Sequence, residues 1–473
     1  MEDRKYDFGM IGLGVMGSNL LLNMADHKYA VIGYDKNIEK TKLLESSAEG
    51  DAIVKGVNTL SEMIAQLKPP RKLMMLVPAG SPVDSVIAEL QPLLEKGDII
   101  IDGGNSHYTD TLRRIKELRS SGFHFMGIGI SGGEEGARRG PSIMPGGDLE
   151  AYEKVAPILK AVAAKVNEEP CVGYLGKDAA GHYVKMVHNG IEYAIMQLIS
   201  ECYDLMHLGL SLSNEELAQV FKEWNSGEME SFLLEITAGI FTQKDDKTDG
   251  FLIDRILDKA GAKGTGKWTS QEGLDLPFPI PTIDAAVMMR NLSSLVEERA
   301  EADKLYRTSS LVIDLSKEDF IKMLHDALYL STLISYAQGL GMLSAASTEL
   351  EMDIPIPEVI NVWRGGCIIR SALLGVFKNA YKDNSLKNLL LDKEIAGIIQ
   401  DKLPALQKII SLAAGNNFPA AGMMASFNYF NAYRRRTLPT NLVQAQRDFF
   451  GAHTYQRNDR EGTFHTEWDD SGK

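Results

Sequence analysis

Short apolar runs alternate with stretches of helical apolar spacing over residues 6 to about 180. Such runs are typical of strands buried on both faces, and the stretches between most of them have the polar face of a surface helix. The alternation predicts an α/β fold in which a parallel sheet carries helices on both faces. The predicted strands are Tyr6–Ile11, Ala30–Tyr34, Lys72–Val77, Ile99–Asp102 and Phe123–Ile130.

A glycine-rich turn, Gly12-Leu13-Gly14-Val15-Met16-Gly17, follows the first predicted strand and opens a predicted helix. The first glycine permits the tight turn, the second lets a pyrophosphate approach the backbone, and the third lets helix and strand pack closely. The helix N-terminus then offers free N–H groups and a partial positive charge. The turn therefore predicts a Rossmann-type dinucleotide site. A glycine turn without a ligand is the alternative.

The residues that end the second predicted strand bear on the choice of dinucleotide. Asp35 stands where an acid usually accepts hydrogen bonds from the adenosine ribose and repels a 2′-phosphate, which favours NAD. Lys36 follows directly and would instead pair with that phosphate. A solvated pair of charges at a strand end is the alternative.

Strand-like runs become scarce after about residue 180, and helical spacing dominates. We expect a dinucleotide-binding domain over residues 1–180, a large all-helical domain over 181–440, and an extended C-terminal tail over 441–473. The first boundary falls in the glycine-bearing stretch Gly176–Gly181. The tail lacks a clear helical stripe and needs a surface to pack against, on its own subunit or on a neighbour.

The helical half carries a faint internal repeat. Lys185-Met186-Val187-His188-Asn189 resembles Lys322-Met323-Leu324-His325-Asp326, and the segments led by Trp224 and Trp363 also resemble each other. Offsets of 137 and 139 residues suggest one duplicated helical unit. Chance similarity between amphipathic helices is the alternative.

Composition excludes several classes of function. A formal net charge of −14 disfavours nucleic acid and anionic membranes as partners. Three scattered cysteines fit a reducing compartment, and neither a signal peptide nor a bilayer-spanning run is evident, so we expect a cytoplasmic protein. No metal site is predicted, because the sequence shows no H-E-x-x-H motif, paired cysteines or clustered carboxylate spacing.

One helical segment combines polar groups with apolar surroundings. Lys185, His188, Asn189 and Glu192 share one helix face, and the residues between them are mainly apolar. A simple surface salt bridge suits this segment poorly, because few other charges are present. A partly buried lysine loses its proton more easily and can act as a base, whereas a partly buried carboxyl keeps its proton and can act as an acid.

Three other segments have the composition of ligand-binding loops. Asp102–Ser106 and Ser131–Glu134 each follow a predicted strand and offer backbone N–H groups to an anion or polyol. Lys263–Trp268 joins two lysines to a flexible backbone, which suits a phosphate; a basic surface turn is the alternative. Arg290 lies in an apolar run, so we expect it to have an anionic partner. The tail adds Arg447 and His453 as cationic groups or hydrogen-bond donors.

From about Phe8 to Trp468 the chain resembles the long, decarboxylating 6-phosphogluconate dehydrogenases. The motifs that carry the resemblance are Ile101–Ser106, Ser131–Ala137, Lys185–Tyr193, Lys263–Trp268 and Gln446–Tyr455. The resemblance implies oxidation of the C3 hydroxyl of 6-phospho-D-gluconate with hydride transfer to NAD(P). The 3-keto acid then loses CO2 to give an enediol, which becomes D-ribulose 5-phosphate, in the pentose phosphate pathway or in gluconate utilisation.

The resemblance also assigns roles to residues. It implies that Lys185 is the general base and Glu192 the general acid. It implies a homodimer in which the tail of one subunit completes the site of its neighbour. The substrate would be held by Asn105, Ser131, Gly132, Gly133, His188, Asn189 and Tyr193, and at its phosphate end by Lys263, Thr265, Arg290, Arg447 and His453. The cofactor would be held by Gly12, Gly14, Val15, Met16, Gly17, Asp35, Lys36, Asn37, Val77 and Asn105.

The sequence departs from the family pattern at the adenosine end of the cofactor. Most members have Asn-Arg-Thr where this chain has Asp35-Lys36-Asn37, and Val-Lys-Ala-Gly where it has Val77-Pro78-Ala79-Gly80. The first change introduces the acid Asp35 while Lys36 keeps one positive charge, and the second removes a cation near the cofactor. The prediction is NAD preference or dual use rather than strict NADP.

Two rival functions are set against this one. A β-hydroxyacid dehydrogenase that does not decarboxylate would share the N-terminal domain and the helix lysine, but such enzymes are much shorter and lack the phosphate-binding tail. A catalytically silent dinucleotide-binding sensor would be expected to have lost Lys185 or Glu192, and both are present.

Overall fold

The computed structural model describes residues 5–262, 264–306, 313, 315–382 and 386–468. The chain forms two compact units, Met1–Ser426 and Phe427–Lys473. The first unit contains a seven-stranded sheet with its flanking helices and most of a large helical region. The second contains the C-terminal tail.

Seven strands form the main sheet, in the order β3-β2-β1-β4-β5-β6-β7 once they are numbered along the chain. The first six in this order are parallel, and β7 is antiparallel to β6. The strands are β1 (Phe8–Ile11), β2 (Val31–Tyr34), β3 (Val54–Val57), β4 (Lys72–Met75), β5 (Ile99–Asp102), β6 (His124–Ser131) and β7 (Ser142–Gly147).

Seven helices accompany this sheet, and they leave an apolar core on each of its faces. Alternate strand residues face opposite cores, so Ile99 and Ile101 belong to one cluster and Ile100 to the other. Burial on both faces explains why these strands appear as continuous apolar runs. The helices are α1 (Val15–Asp26), α2 (Ile38–Ser46), α3 (Leu60–Gln66), α4 (Ser81–Leu90), α5 (Tyr108–Ser120), α6 (Gly133–Arg139) and α7 (Leu149–Val162).

The predicted α/β fold is confirmed, with two strands that the sequence pattern did not reveal. All five predicted strands are present with ends shifted by up to two residues, and β3 and β7 were missed. The prediction of an entirely parallel sheet was wrong at β7. This strand contains Pro145, Gly146 and Gly147, which are typical of turns, and it is tolerated because it lies at the edge of the sheet. A small antiparallel pair, β8 (Lys165–Val166) and β9 (Glu169–Pro170), precedes the helical region.

The helical region begins with α8 (Ala180–Asp204), inside the boundary predicted at 176–181, and α8 continues into a π-helical turn at Leu205–Gly209. Short 3₁₀ segments lie at Gln91–Leu93, Leu252–Arg255 and Leu389–Leu391. The remaining helices are α9 (Asn214–Trp224), α10 (Phe232–Thr242), α11 (Thr265–Asp275), α12 (Pro281–Ser293), α13 (Val296–Leu305), α14 (Lys317–Glu349), α15 (Ile356–Trp363), α16 (Leu373–Ala380), α17 (Lys393–Gly415) and α18 (Ala421–Tyr433).

Contacts within the helical region support the predicted duplication. The His188 ring packs edge-on against Trp363 with centroids 5.9 Å apart, and the His325 ring packs edge-on against Trp224 at 5.7 Å. Each histidine therefore meets the tryptophan of the other repeat. Ser231 forms an isolated antiparallel bridge with Ser371, near its expected counterpart in the second repeat. A residue that pairs with its own counterpart lies close to a local twofold axis.

The tail is more regular than the sequence suggested. Residues predicted to be extended form a helix, α19 (Thr440–Gly451), and a short antiparallel pair, β10 (Tyr455–Gln456) and β11 (Thr463–Phe464). The buried Asp448 carboxylate organises this unit, because it accepts hydrogen bonds from the backbone of Thr454 and Thr466 and from the Trp468 indole. Leu442, Val443, Phe449 and Phe450 stand at i, i+1, i+7 and i+8 and form a short apolar stripe, which was missed among the polar residues between them. In the single chain these side chains are exposed.

Within the described residues, no helix is long and apolar enough to cross a membrane.

Candidate active site

The glycine turn after β1 forms the floor of a cleft. Gly12 has a φ of +94°, and a Cβ there would lie 2.5 Å from the Leu76 carbonyl oxygen, whereas Gly14 faces open space. A Cβ on Gly17 would lie 2.0 Å from the Gly12 carbonyl oxygen, so this glycine is needed for close packing. Helix α1 begins at Val15 with no acidic residue in its first turn. Its N-terminus can therefore receive the pyrophosphate of a dinucleotide.

The cleft, of about 310 Å³, extends from the glycine turn to the end of β2 and is also lined by Val77. The Asp35 carboxylate accepts hydrogen bonds from the backbone N–H groups of Leu13 at 2.8 Å and Asn37 at 2.9 Å. Lys40 Nζ lies 3.3 Å from the same carboxylate. Burial acts to raise the pKa of Asp35, but these hydrogen bonds and Lys40 lower it below its ordinary value.

Lys40 was missed by the sequence analysis, although it lines this cleft together with Lys36. Lys36 Nζ lies 3.7 Å from a Glu89 carboxylate oxygen, and its side chain is exposed. Two lysines thus stand beside the one acid that was expected to exclude a 2′-phosphate. The signal in the sequence was weak, because Lys40 belongs to the helix after the strand and is one of several charged residues there.

The predicted polar face of α8 is present and is mostly buried. Lys185 Nζ donates a hydrogen bond to Asn189 Oδ1 at 2.8 Å and lies 3.4 Å from His188 Nδ1. Glu192 Oε2 lies 3.8 Å from His188 Nδ1, and the Glu192 side chain is 21% exposed. The four groups predicted to share one face therefore form a single cluster that a substrate can reach beside Glu192.

Burial brings the pKa values of Lys185 and Glu192 closer together. It lowers the pKa of Lys185 from its ordinary value of 10.5, against the opposing charge of Glu192. It raises the pKa of Glu192 from 4.5, against the charges of Lys185 and Arg290. Burial and the charge of Lys185 also hold the pKa of His188 well below 6.5, so His188 is neutral near pH 7. The arrangement favours a neutral lysine and a protonated glutamate, which are the forms of a base and an acid.

The strand-end loops border this cluster. Ser131 Oγ, at the end of β6, lies 3.3 Å from His188 Nε2. Gly132 has a φ of +119°, and a Cβ there would lie 2.5 Å from the Gly366 carbonyl oxygen, so only glycine fits. Gly133 is exposed and begins α6. The loop 131–133 can therefore present backbone groups beside Lys185.

Asn105 is exposed at the end of β5, and the residues around it hold its loop in place. The buried Asp102 carboxylate accepts hydrogen bonds from Gly104 N at 3.0 Å and from Ser106 Oγ at 2.6 Å. Arg114 Nη1 lies 3.4 Å from the same carboxylate. Asp102 was noted only as part of a loop, and its supporting role was not predicted because Arg114 lies on the following helix.

Helix α11 brings the predicted phosphate loop to α8. The helix begins at Thr265, and its packing on α8 is close: a Cβ on Gly266 would lie 2.4 Å from the Tyr193 ring. Arg290 lies over that ring with its guanidinium carbon 3.4 Å from the ring centroid. Thr265, Tyr193 and Arg290 are thus neighbours, whereas Lys263 lies outside the described residues.

Among the described residues Arg290 makes no direct ion pair, although the charge of Glu192 acts to raise the pKa of its guanidinium. Arg290 Nη1 instead donates to the Gly261 carbonyl oxygen at 3.1 Å, and burial lowers the pKa of the guanidinium. Glu192 is the anionic group that acts on Arg290, because the side chain leaves the apolar run of α12 and lies over Tyr193. Its remaining donors can serve an anionic ligand.

The two predicted tail residues lie in the second compact unit. Arg447 Nη1 donates to Gln444 Oε1 at 3.2 Å, and the His453 ring packs edge-on against Phe450. Both side chains are exposed or nearly so within that unit. The structure therefore gathers the predicted residues of the first unit around α8 and the glycine turn, and it gives the tail pair separate surroundings.

One cluster has metal-ligand types at suitable distances, contrary to the reading of the sequence. Glu228, His325 and Asp326 have ligand atoms within 4.8 Å of one another. Lys402 Nζ already lies 2.6 Å from Glu228 Oε1 and 2.9 Å from Asp326 Oδ1. The lysine supplies the positive charge that a metal ion would bring, so the cluster is an ion-pair network.

The fold and the cluster on α8 define a class of protein, a dinucleotide-dependent oxidoreductase with a lysine and a glutamate at its centre. Two family models cover almost the whole chain. The NAD binding domain of 6-phosphogluconate dehydrogenase matches residues 7–176, and the C-terminal domain of 6-phosphogluconate dehydrogenase matches residues 181–468.

Individual relatives agree with the family models. The NADP(+)-dependent, decarboxylating 6-phosphogluconate dehydrogenase of Bacillus subtilis is 50% identical over 466 residues, 98% of this chain and 99% of the relative. The decarboxylating enzyme of Escherichia coli K12 is 49% identical, with the same coverage. The Plasmodium falciparum 6-phosphogluconate dehydrogenase, solved alone, with its cofactor NADP+ and with its substrate, is 45% identical. It has a TM-score of 0.95 and covers 98% of this chain and 100% of that one. The chain belongs to the family of decarboxylating 6-phosphogluconate dehydrogenases.

Proposed function

We propose that the protein oxidises and decarboxylates 6-phospho-D-gluconate to D-ribulose 5-phosphate and CO2, with Lys185 as the base and Glu192 as the acid. The observation that carries the proposal is the buried cluster on α8, in which Lys185 and Glu192 flank His188 and their pKa values are moved toward each other. The reaction is a step of the pentose phosphate pathway.

The residues of α8 divide the proton transfers between them. Lys185 takes the proton of the C3 hydroxyl. A nicotinamide held at the glycine turn would supply the hydride acceptor for C3. The protonated Lys185 then polarises the C3 ketone while the C1 carboxylate leaves as CO2. Glu192 then protonates the carbon that was C2 of the substrate, which becomes C1 of D-ribulose 5-phosphate. Asn189 holds Lys185 Nζ at 2.8 Å throughout, which orients the amine toward the substrate.

The substrate lies between the strand-end loops and α11 in this proposal. Asn105 and the loop 131–133 bind the hydroxyl and carboxylate end together with His188 and Asn189, and Tyr193 contributes its hydroxyl. Thr265 and Arg290 bind the phosphate, because a helix N-terminus and a guanidinium both favour a dianion. Lys263 is assigned to the same end by family resemblance.

The cofactor proposal is dual use of NADP and NAD. The Bacillus subtilis relative is named NADP(+)-dependent, and Lys36 and Lys40 offer two positive charges to a 2′-phosphate. Asp35 opposes them, and its carboxylate oxygens can accept the ribose hydroxyls of NAD. The remaining cofactor residues in this proposal are Gly12, Gly14, Val15, Met16, Gly17, Asn37, Val77 and Asn105.

A homodimer is also part of the proposal, with Arg447 and His453 of one subunit completing the phosphate end of the neighbour's site. The exposed apolar residues of α19 support it, since Phe450 is 72% and Leu442 is 62% exposed within a single chain. A cytoplasmic location is supported by three free, buried cysteines. The mass of the protein in solution tests the dimer, and a monomer that is fully active would contradict it.

The test of the reaction follows nicotinamide reduction with 6-phosphogluconate, run with NAD and NADP in parallel, while CO2 release is measured in the same samples. We expect one CO2 for each cofactor reduced. Reduction without CO2 would favour a β-hydroxyacid dehydrogenase. Cofactor binding with no turnover on any sugar acid would favour a silent sensor.

A further inference from the structure

A buried carboxylate joins the sheet domain to the helical region, away from the proposed proton transfers. Glu272 on α11 accepts a hydrogen bond from Tyr108 Oη at 2.7 Å and from Tyr183 Oη at 3.2 Å. Tyr108 begins α5 beside the sheet, and Tyr183 lies on α8. All three side chains are buried. Each carboxylate oxygen thus has its own phenol donor.

The surroundings of Glu272 show that these two bonds are its main stabilisation. In the part of the chain that the structure describes, Glu272 makes no ion pair, and a buried carboxylate without donors is strongly unfavourable. Burial and the contact with Glu272 raise the pKa of Tyr108, so its hydroxyl stays protonated and remains a donor. Hydrogen bonds to a charged acceptor are stronger than neutral ones.

The three residues connect three of the segments that carry the proposed site. Tyr108 follows Asn105 by three residues, and Tyr183 precedes Lys185 by two. Glu272 lies seven residues after Thr265, about two helical turns along α11. One carboxylate therefore links the Asn105 loop, the base-bearing helix and the helix whose first residue is assigned to the phosphate.

Of these links, the bond from Tyr108 is the one that crosses between the sheet domain and the helical region. Helix α11 is already held on α8 by close packing, because a Cβ on Gly190 would lie 2.6 Å from Thr269 Cγ2. Beside Tyr108, the His107 ring packs edge-on against Trp268 of α11, with centroids 5.0 Å apart. The bond of Tyr108 and this ring contact hold the end of the Asn105 loop against α11.

We infer that Glu272 is a positioning residue, which sets the distance between the Asn105 loop and the phosphate end of the substrate site through its bond to Tyr108. A substrate that must touch both ends at once binds well only when that distance is fixed. The inference rests on the proposed function. It predicts that loss of the bond weakens binding of 6-phosphogluconate more than it slows the chemical step.

The test compares Tyr108→Phe, Glu272→Ala and Glu272→Gln with the wild type, using Asp275→Asn as the matched control. Asp275 is exposed on the same helix and carries the same charge. Tyr108→Phe removes one hydroxyl and preserves the ring, so this variant should fold even if Glu272→Ala does not. Gln retains one carbonyl acceptor and should rescue part of the loss.

We expect KM for 6-phosphogluconate to rise about tenfold in Tyr108→Phe and Glu272→Ala, and about threefold in Glu272→Gln. The kcat and the KM for the cofactor should stay within about twofold of the wild type, and the Tyr108→Phe/Glu272→Ala double variant should be no worse than Glu272→Ala alone. Asp275→Asn should match the wild type.

Three results would overturn the inference. The first is an unchanged KM in all three variants, and the second is additive losses in the double variant. The third is a fall of kcat as large as the rise of KM together with a lower melting temperature, which would indicate a purely structural role. A wild type that does not turn over 6-phosphogluconate refutes the proposed function and this inference with it. An active wild type with any of the three results refutes this inference alone.

Discussion

Replacing Glu192 by Gln should abolish the alkaline limb of the pH–rate profile, because it removes the group that must be protonated for turnover. In the proposed mechanism Lys185 works when neutral, so activity falls as pH drops below its pKa. Glu192 works when protonated, so activity falls as pH rises above its pKa. The wild type should therefore show a bell-shaped profile whose two apparent pKa values belong to the coupled pair.

The burial of Lys185 and Glu192 determines how much of the protein is in the active protonation state. With ordinary pKa values of 10.5 and 4.5, the neutral lysine and the protonated glutamate would each be present at a fraction of about 10⁻³ at pH 7.5. The form with both would be about 10⁻⁶ of the protein if the groups titrated independently. Burial shifts the two pKa values in the directions that enrich this form, and each unit gained on either group enriches it about tenfold.

The assay measures kcat for 6-phosphogluconate from about pH 5.5 to 9.5, together with the first turnover in a rapid-mixing experiment. Glu192→Gln should lower kcat by about 10²–10⁴-fold and leave a profile that rises to a plateau. Its first turnover should still reduce the cofactor, since hydride transfer precedes protonation of the enediol carbon. In contrast, Lys185→Met should fail to reduce the cofactor even in the first turnover.

Glu150→Gln serves as the control, because Glu150 is an exposed glutamate on α7 whose partner is Lys154. It should keep both limbs of the wild-type profile. An alkaline limb that persists in Glu192→Gln would refute the reasoning, because another group would then be the acid. A Lys185→Met variant with a normal first turnover would refute the assignment of the base.

Three further outcomes follow from the packing and the charges. Gly190→Ala places a Cβ 2.6 Å from Thr269 Cγ2 and should lower the free energy of unfolding by about 1–3 kcal/mol; Thr269→Ser, which lacks Cγ2, should recover part of this in a denaturant titration, and no recovery would contradict the packing argument. Asp35→Asn should raise the ratio of kcat/KM for NADP over NAD about tenfold and Lys40→Gln should lower it, so an unchanged ratio in both would show that neither charge faces the cofactor. Asp448→Asn should speed proteolysis within residues 452–468, because an amide nitrogen would face N–H donors. Burial acts to raise the pKa of Asp448, but its hydrogen bonds hold the pKa at about 2, below the ordinary 3.8. The stabilisation that the Asp448 carboxylate gives to the tail is therefore present above pH 3.8 and is lost as pH falls through about 2.

Local patterns in the sequence predicted the parts of the fold that depend on local burial. The strand Ile99–Asp102 was predicted with its observed ends, because a strand covered on both faces is apolar at every position. The tail helix was not predicted, because its apolar stripe is short and polar residues lie between its members. Strand β7 was not predicted either, since an edge strand can include proline and glycines that elsewhere indicate a turn.

The same distinction applies to the site. Helical spacing alone placed Lys185 and Glu192 on one face, because both lie on the same helix. The partners of Arg290, the role of Lys40 and the bonds of Glu272 depend on contacts between elements far apart in sequence. Such contacts are determined by tertiary packing, and no local sequence pattern predicts them.

The exchange of ring partners in the helical region has a consequence for ancestry. Because each repeat supplies the tryptophan for the other repeat's histidine, a single repeat would lack the partner of its own histidine. A half-length precursor would have found that partner in a second, identical chain, with two equivalent pockets across the twofold axis. Fusion of two such genes would have left one pocket free to change, at the place where Lys402 now pairs with Glu228 and Asp326. On that history, the modern chain would correspond to a dimer that retained one of its two active centres.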